Sequence, residues 1–74
     1  MKPLKRYFKE NGLTAYKVGK ENNIPNQTIR LQLENDTLDR VAFRIIKAIA
    51  NSLNKTPGQV ADELIEFENN NKNK

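Results

Sequence analysis

The chain of 74 residues contains no cysteine, no histidine and no tryptophan. Without cysteine there is no disulfide and no thiolate metal ligand, and without histidine there is no imidazole ligand and no Cys/His or Ser/His catalytic pair. The sequence therefore offers no thiolate or imidazole metal site, implies no metal or cofactor, and has no nucleophile–base pair that would indicate an enzyme. The lack of disulfides favours a reducing compartment, and we expect a cytoplasmic protein.

Long apolar segments and alternating apolar segments are also missing. No apolar run approaches the roughly 18 residues that a membrane-spanning helix needs, and no signal-peptide pattern opens the chain. Nowhere do apolar and polar residues alternate for long enough to predict a half-buried strand. A chain of this length is expected to form one small domain without room for a buried catalytic cavity.

Apolar residues instead recur at spacings of three and four, which predicts an all-α fold with five helices. Helix 1 begins at Pro3, and Gly12 provides a left-handed stop. Thr14 is placed to cap helix 2, which should end near Asn22 because Asn23 tolerates a left-handed conformation and the following proline cannot continue a helix.

The remaining helices have less uniform signals. Helix 3 should begin at Pro25 or Asn26 and run to about Glu34, and helix 4 should span roughly residues 38–52 as the central apolar helix. Helix 5 opens with Thr56, Pro57 and Gln59, the pattern of a capping box. The polar end NNNKNK has no apolar anchor, so a disordered tail is predicted over residues 69–74.

Two separated stretches, LTAYKVGKENNIPNQTI and IANSLNKTPGQV, resemble motifs of the Cro/repressor-like (Xre) family of helix-turn-helix DNA-binding proteins. The similarity covers about residues 4–65. It implies a five-helix, lambda-repressor-like domain over residues 1–68, in which helices 2 and 3 form the helix-turn-helix. The chain departs from the family pattern at four positions. Gly19 stands where the family has alanine, and Asn23 stands where it has glycine. Asn22 and Gln32 stand where it has apolar residues.

The resemblance implies that the start of helix 3 and the next turn contact DNA bases. The residues at those positions are Asn26, Gln27, Thr28, Arg30 and Leu31. Their chemistry agrees with this role, because asparagine and glutamine can pair with adenine, arginine with guanine or a phosphate, and leucine with a thymine methyl group. Amides at a helix start often serve only as caps, and the turn pattern around them favours DNA contact.

Charge is distributed unevenly along the chain, which carries a net charge of +4. Residues 1–30 hold seven bases and two acids, net +5, whereas residues 56–74 hold two bases and four acids, net −2. The basic half coincides with the expected DNA-binding face, where cations would contact phosphates. The candidates for phosphate contact on helices 1 and 2 are Lys5, Lys9, Thr14, Tyr16, Lys17 and Lys20.

The sequence thus predicts a sequence-specific binder of double-stranded DNA, a small transcriptional regulator, most simply a repressor, of bacterial, phage or plasmid origin. The resemblance implies a two-fold symmetric operator and a homodimer, for which Ile65 or Phe67 could supply an apolar contact, while a monomer remains open. An alternative is an antitoxin or protein-binding adaptor that uses helix 5 and the tail. The acidic residues of helix 5 fit a solvated face better than a metal site.

Overall fold

The fold is built from helices, as the sequence predicts. A computed structural model describes residues 2–72, with side chains through residue 70, and this part of the chain contains five α-helices, one 3-10 turn and no strand. The α-helices are α1 (Pro3–Glu10), α2 (Ala15–Asn22), α3 (Asn26–Leu33), α4 (Phe43–Leu53) and α5 (Pro57–Lys72), and the 3-10 turn is Leu38–Arg40. None of these helices combines the length and the apolar character that crossing a membrane requires.

The helices close into a ring around one apolar core. Helix α2 packs against α3 and α4, α4 packs against α5, and α1 packs against both α5 and α3. Val18, Ile29, Ile49 and Val60 are fully buried and come from four different helices. Because each helix contributes to the same core, α2 and α3 are held by packing as well as by the turn between them.

The predicted helix ends are confirmed where the signal is local. Thr14 Oγ1 accepts a hydrogen bond from the Lys17 backbone N–H at 3.0 Å. At the start of α5, the Thr56 hydroxyl and the Gln59 side chain each accept the other residue's backbone N–H, at 3.1 and 3.0 Å, which completes the capping box. Gly12 has a positive φ of 66°, so the left-handed stop after α1 is also confirmed.

The prediction that helix 4 begins at Leu38 is wrong. Residues 38–40 form a separate 3-10 turn, Ala42 is extended, and α4 begins at Phe43. Two distant side chains stabilise this break, because Glu68 accepts the Leu38 N–H at 2.9 Å and Gln32 accepts the Ala42 N–H at 3.0 Å. Because side chains already accept these two backbone N–H groups, a continuous helix would gain less from its own backbone hydrogen bonds here.

The prediction of a disordered tail over residues 69–74 is wrong for residues 69–72, because α5 continues to Lys72. Glu68 ties the helix to the 3-10 turn, and Phe67 packs on Tyr7, so the helix is anchored one residue before the polar end. Extending a helix that is already formed adds one backbone hydrogen bond per residue. Residues 73 and 74 lie outside the described residues.

A polar network joins α1, the loop before α5 and the middle of α5. The buried Tyr7 hydroxyl donates to Glu63 Oε1 at 2.5 Å, and Lys55 Nζ lies 2.9 and 2.8 Å from the two carboxylate oxygens. The hydrogen bonds from Lys55 and Tyr7 lower the pKa of Glu63. Burial, followed by the hydrogen bond to Glu63, raises the pKa of Tyr7.

This network predicts an acid-sensitive contribution to folding. Because the Glu63 pKa is lowered in the folded chain, its stabilising effect is present above the ordinary value of 4.5 and is lost as the pH falls toward the folded-state value. Glu63→Gln should therefore lower the melting temperature at neutral pH, and the gap from wild type should narrow on acidification. Thermal unfolding between about pH 3 and 7 measures this gap.

Glu66→Gln provides the matched control, since Glu66 is an exposed residue on the same helix. It should change the melting temperature little at neutral pH. A gap for Glu63→Gln that stays constant over the whole pH range would show that the ionised carboxylate is not what stabilises the network.

Candidate nucleic-acid interface

The junction between α2 and α3 is a turn of three residues with almost no free space. Asn23 adopts the left-handed conformation, with φ 57° and ψ 40°, and the Ile24 N–H donates to the Gly19 carbonyl at 3.0 Å. A Cβ atom at Gly19 would lie 2.6 Å from the Ile24 carbonyl oxygen. The family's usual alanine at this position would therefore collide with the backbone of the turn.

A second departure from the family pattern, Asn22, ties α2 to α4. Its side-chain nitrogen lies 3.2 Å from both the Ala48 carbonyl oxygen and the Ser52 hydroxyl, and its oxygen accepts from Asn51 Nδ2 at 2.8 Å. An apolar side chain would pack here without making these bonds. The amide therefore replaces apolar packing with a hydrogen-bonded link between the two helices.

Helix α3 has a buried side and an exposed side. Ile29 is fully buried, and Gln32, which stands where the family has an apolar residue, turns its side chain to the Ala42 N–H. The exposed side chains follow at spacings of three, four and seven from the first: Gln27, Arg30, Leu31 and Glu34. We call these four residues the α3 stripe. Leu31 is 66% exposed, so its apolar side chain is accessible to a partner.

The five predicted base-contacting residues divide between these environments. Gln27, Arg30 and Leu31 belong to the α3 stripe, whereas Asn26 and Thr28 are half-buried. Asn26 Oδ1 is buried and has no hydrogen-bond partner among the described residues. Asn26 therefore offers less of its side chain to a partner than Gln27, which is exposed as a whole.

Two shallow clefts meet at Asn26. The first lies between α1 and α3 and is lined by residues of the α3 stripe together with Lys5. The second lies along α2 and the turn, where it is lined by Tyr16 and Lys20. The structure thus places three of the predicted phosphate-contacting residues on a continuous surface with the exposed side of α3.

The other three predicted phosphate-contacting residues lie outside both clefts. Lys9 is exposed on α1 beside a shallow depression that it shares with Lys5. Thr14 and Lys17 are exposed at the start of α2, and the Thr14 hydroxyl is already engaged as the helix cap. In contrast, Tyr16 and Lys20 both line the second cleft. Tyr16 is 63% exposed, and the Lys20 ammonium lies 5.8 Å from the centre of its ring.

A basic and aromatic patch at the start of α4 was missed by the sequence analysis. Phe43 is 60% exposed, Lys47 Nζ lies 5.9 Å from the centre of its ring, and Arg44 is exposed between them. The hydrogen bond from Ala42 to Gln32 brings this patch beside α3. The sequence placed Phe43 within a continuous core helix, whereas in the structure it is the first residue of α4 and lies on the side opposite the buried Ile45.

Glu34 was also missed, as a partner of the basic residues on α1. Its carboxylate oxygens lie 3.6 Å from Lys2 Nζ and 3.5 Å from Lys5 Nζ. The sequence signal was its position seven residues after Gln27, on the same side of α3. Contact with α1 depends on how α1 and α3 pack, which residue spacing does not specify.

Comparison of the chain with profiles of known protein families, with characterised proteins and with solved structures finds no match.

The close approach at Gly19 yields a stability prediction. Alanine gains about 1 kcal/mol over glycine inside a helix, yet overpacking against fixed backbone costs about 1–3 kcal/mol, so Gly19→Ala should lower the melting temperature. Gly58→Ala is the matched control, because the nearest atom to its added Cβ would be Thr56 Oγ1 at 3.9 Å. It should leave the melting temperature unchanged or raise it. Equal changes in melting temperature for Gly19→Ala and Gly58→Ala would contradict the steric collision inferred at Gly19.

The left-handed conformation of Asn23 yields a second stability prediction. Asn23→Gly should leave stability unchanged or improve it, because glycine adopts positive φ without a steric penalty. Asn23→Val should be clearly destabilised, because a β-branched side chain is strained in that conformation. Denaturant unfolding of the two variants measures the difference, and coincident transitions would contradict the turn geometry.

Proposed function

We propose that this chain is a sequence-specific double-stranded DNA-binding protein with a lambda-repressor-like helix-turn-helix, formed by α2 and α3. The observation that carries the proposal is the α3 stripe, in which Gln27, Arg30 and Leu31 are exposed together although α3 is packed into the core on its other side. The clefts on both sides of Asn26 carry basic side chains next to the stripe. This combination fits a helix that enters a groove between two phosphate backbones.

The dimensions of α3 support this mode of binding. The helix has eight residues, and an α-helix with its side chains is about 10–12 Å in diameter. The major groove of B-DNA is about 12 Å wide and admits an α-helix with its side chains. The three-residue turn and the closed contact at Gly19 keep α2 next to α3, so that α2 can lie across the backbone at the groove's edge.

The side chains of the proposed interface separate into base readers and phosphate contacts. Gln27 presents both amide donors and its acceptor, the pattern that matches adenine, and Arg30 and Leu31 would read guanine and the thymine methyl group. Asn26, whose oxygen is buried, would donate only, to a phosphate or a base acceptor. Phosphate contacts would come from the flanks, chiefly Lys20 on α2 and the lysines of α1.

In this proposal the protein regulates transcription by occupying an operator, most simply as a repressor of bacterial, phage or plasmid origin. A two-fold symmetric operator would require a homodimer. Of the two apolar residues considered for a dimer contact, Phe67 packs edge-on against Tyr7 with ring centres 5.5 Å apart, whereas Ile65 is 51% exposed. Ile65 is therefore the better candidate.

The same exposed Ile65 supports the alternative of an adaptor or antitoxin. It lies on α5 between the exposed acids Asp62 and Glu66, away from the basic residues of the α3 surface. Selection of binding sites from random duplexes with the purified chain separates the two functions. A regulator should enrich a defined sequence by itself, whereas an adaptor should enrich none.

Base contacts and phosphate contacts should respond differently to substitution. Gln27→Ala should cost roughly 1–3 kcal/mol on the best site and relax the preference at one base pair per half-site, with little change in the salt dependence. Lys20→Ala should weaken binding to all duplexes nearly equally and reduce the slope of log K against log salt by about one per subunit. Titrations at several salt concentrations measure both effects.

Asn69→Ala is the control for the loss of an exposed amide, since Asn69 lies on α5, outside the proposed interface. It should leave affinity and base preference unchanged. Circular dichroism should first establish that every variant is folded. A folded Gln27→Ala variant with the wild-type preference at every base pair would show that α3 does not read bases through this residue.

A further inference from the structure

Glu34 closes the α3 stripe with a negative charge on an otherwise basic surface. It follows the last residue of α3, and its side chain is 58% exposed while it lies within ion-pair distance of Lys2 and Lys5. The same residue lines the cleft that contains Gln27, Arg30 and Lys5. A carboxylate therefore occupies the place where the α1 lysines approach the proposed DNA-binding helix.

Helix stability does not account for an acid at this position. The C-terminal end of a helix carries partial negative charge, so a carboxylate there is unfavourable and a basic side chain would be preferred. Ion pairs between exposed side chains contribute about 0–1 kcal/mol at most. Both lysine side chains are substantially exposed, at 39% for Lys2 and 61% for Lys5, so these pairs belong to that weak class.

We propose that Glu34 is a specificity-determining residue that occupies Lys2 and Lys5 and thereby weakens sequence-independent binding to DNA phosphates. This inference rests on the proposed function, because it concerns the same surface. With Glu34 present, the two ammonium groups are partly neutralised before DNA arrives. The base contacts of Gln27, Arg30 and Leu31 are left in place.

The effect on discrimination follows from the two kinds of contact. Phosphate contacts strengthen binding to every duplex, whereas base contacts strengthen binding only to the correct one. A protein that searches among many competing sites depends on the ratio between specific and non-specific affinity. By lowering the affinity for non-specific DNA, Glu34 raises the ratio of specific to non-specific affinity.

The test compares Glu34→Gln with wild type on a random-sequence duplex and on the duplex obtained by selection. Glu34→Gln should bind the random duplex roughly 3- to 10-fold more tightly at low salt, with the salt slope steeper by about one to two per subunit as Lys2 and Lys5 engage phosphates. The ratio of specific to non-specific affinity should fall. Both proteins are compared after thermal unfolding has shown that they are folded.

Two further variants separate this effect from a change in net charge. Glu66→Gln makes the same charge change on α5, at an exposed residue that forms no ion pair with Lys2 or Lys5 in the described part of the chain, and should shift affinity much less. In a Lys2→Ala/Lys5→Ala background, Glu34→Gln should have little effect, because the lysines through which it acts are gone. A full gain in that background, or an equal gain from Glu66→Gln, would overturn the inference while leaving the DNA-binding proposal intact.

A chain that does not bind DNA would give a different result in these measurements. If neither wild type nor Glu34→Gln binds any duplex at low salt, both the DNA-binding proposal and the role of Glu34 are overturned. If wild type prefers the selected duplex and Glu34→Gln gains affinity for random duplexes with a lower ratio of specific to non-specific affinity, both are supported.

Discussion

The backbone contact between α2 and the turn that follows it is the constraint on which the candidate site depends. The Ile24 carbonyl comes so close to Gly19 that a single methyl group would displace it, and the left-handed Asn23 turns the chain within three residues. This contact fixes where α3 begins relative to α2. The exposure of Gln27, Arg30 and Leu31 then follows from the helical period, because Ile29 between them is drawn into the core.

Features that depend on neighbouring residues were predictable from the sequence, and features that depend on distant residues were not. Thr14, Thr56 and Asn23 act within a few positions of themselves, so their residue types indicate the helix ends and the turn. The break before α4 depends on Gln32 and Glu68, and Glu68 lies 30 positions from the N–H that it accepts. No local pattern in the apolar spacing signals such a bond.

The candidate site divides in the same way. The exposed part of α3 is consistent with residue spacing once the helix is assigned, whereas Gln27, Arg30 and Leu31 were identified through the family resemblance. The half-buried position of Asn26 and the pairing of Glu34 with the α1 lysines depend on how α1 packs beside α3. Helix α3 also shows that residue type alone does not assign a role, because Gln27 faces outward while Gln32 bonds to the start of α4.

The buried Tyr7 has a spectroscopic consequence. The chain has two tyrosines and no tryptophan, so its near-ultraviolet absorbance comes mainly from two phenols in opposite environments. Tyr7 is 1% exposed and donates a hydrogen bond to Glu63, and its pKa is raised by burial and by this bond. In alkaline solution its phenol should therefore ionise at a higher pH than an ordinary exposed phenol while the chain is folded. The appearance of tyrosinate absorbance from Tyr7 below that pH would then record the opening of the core, without any added label.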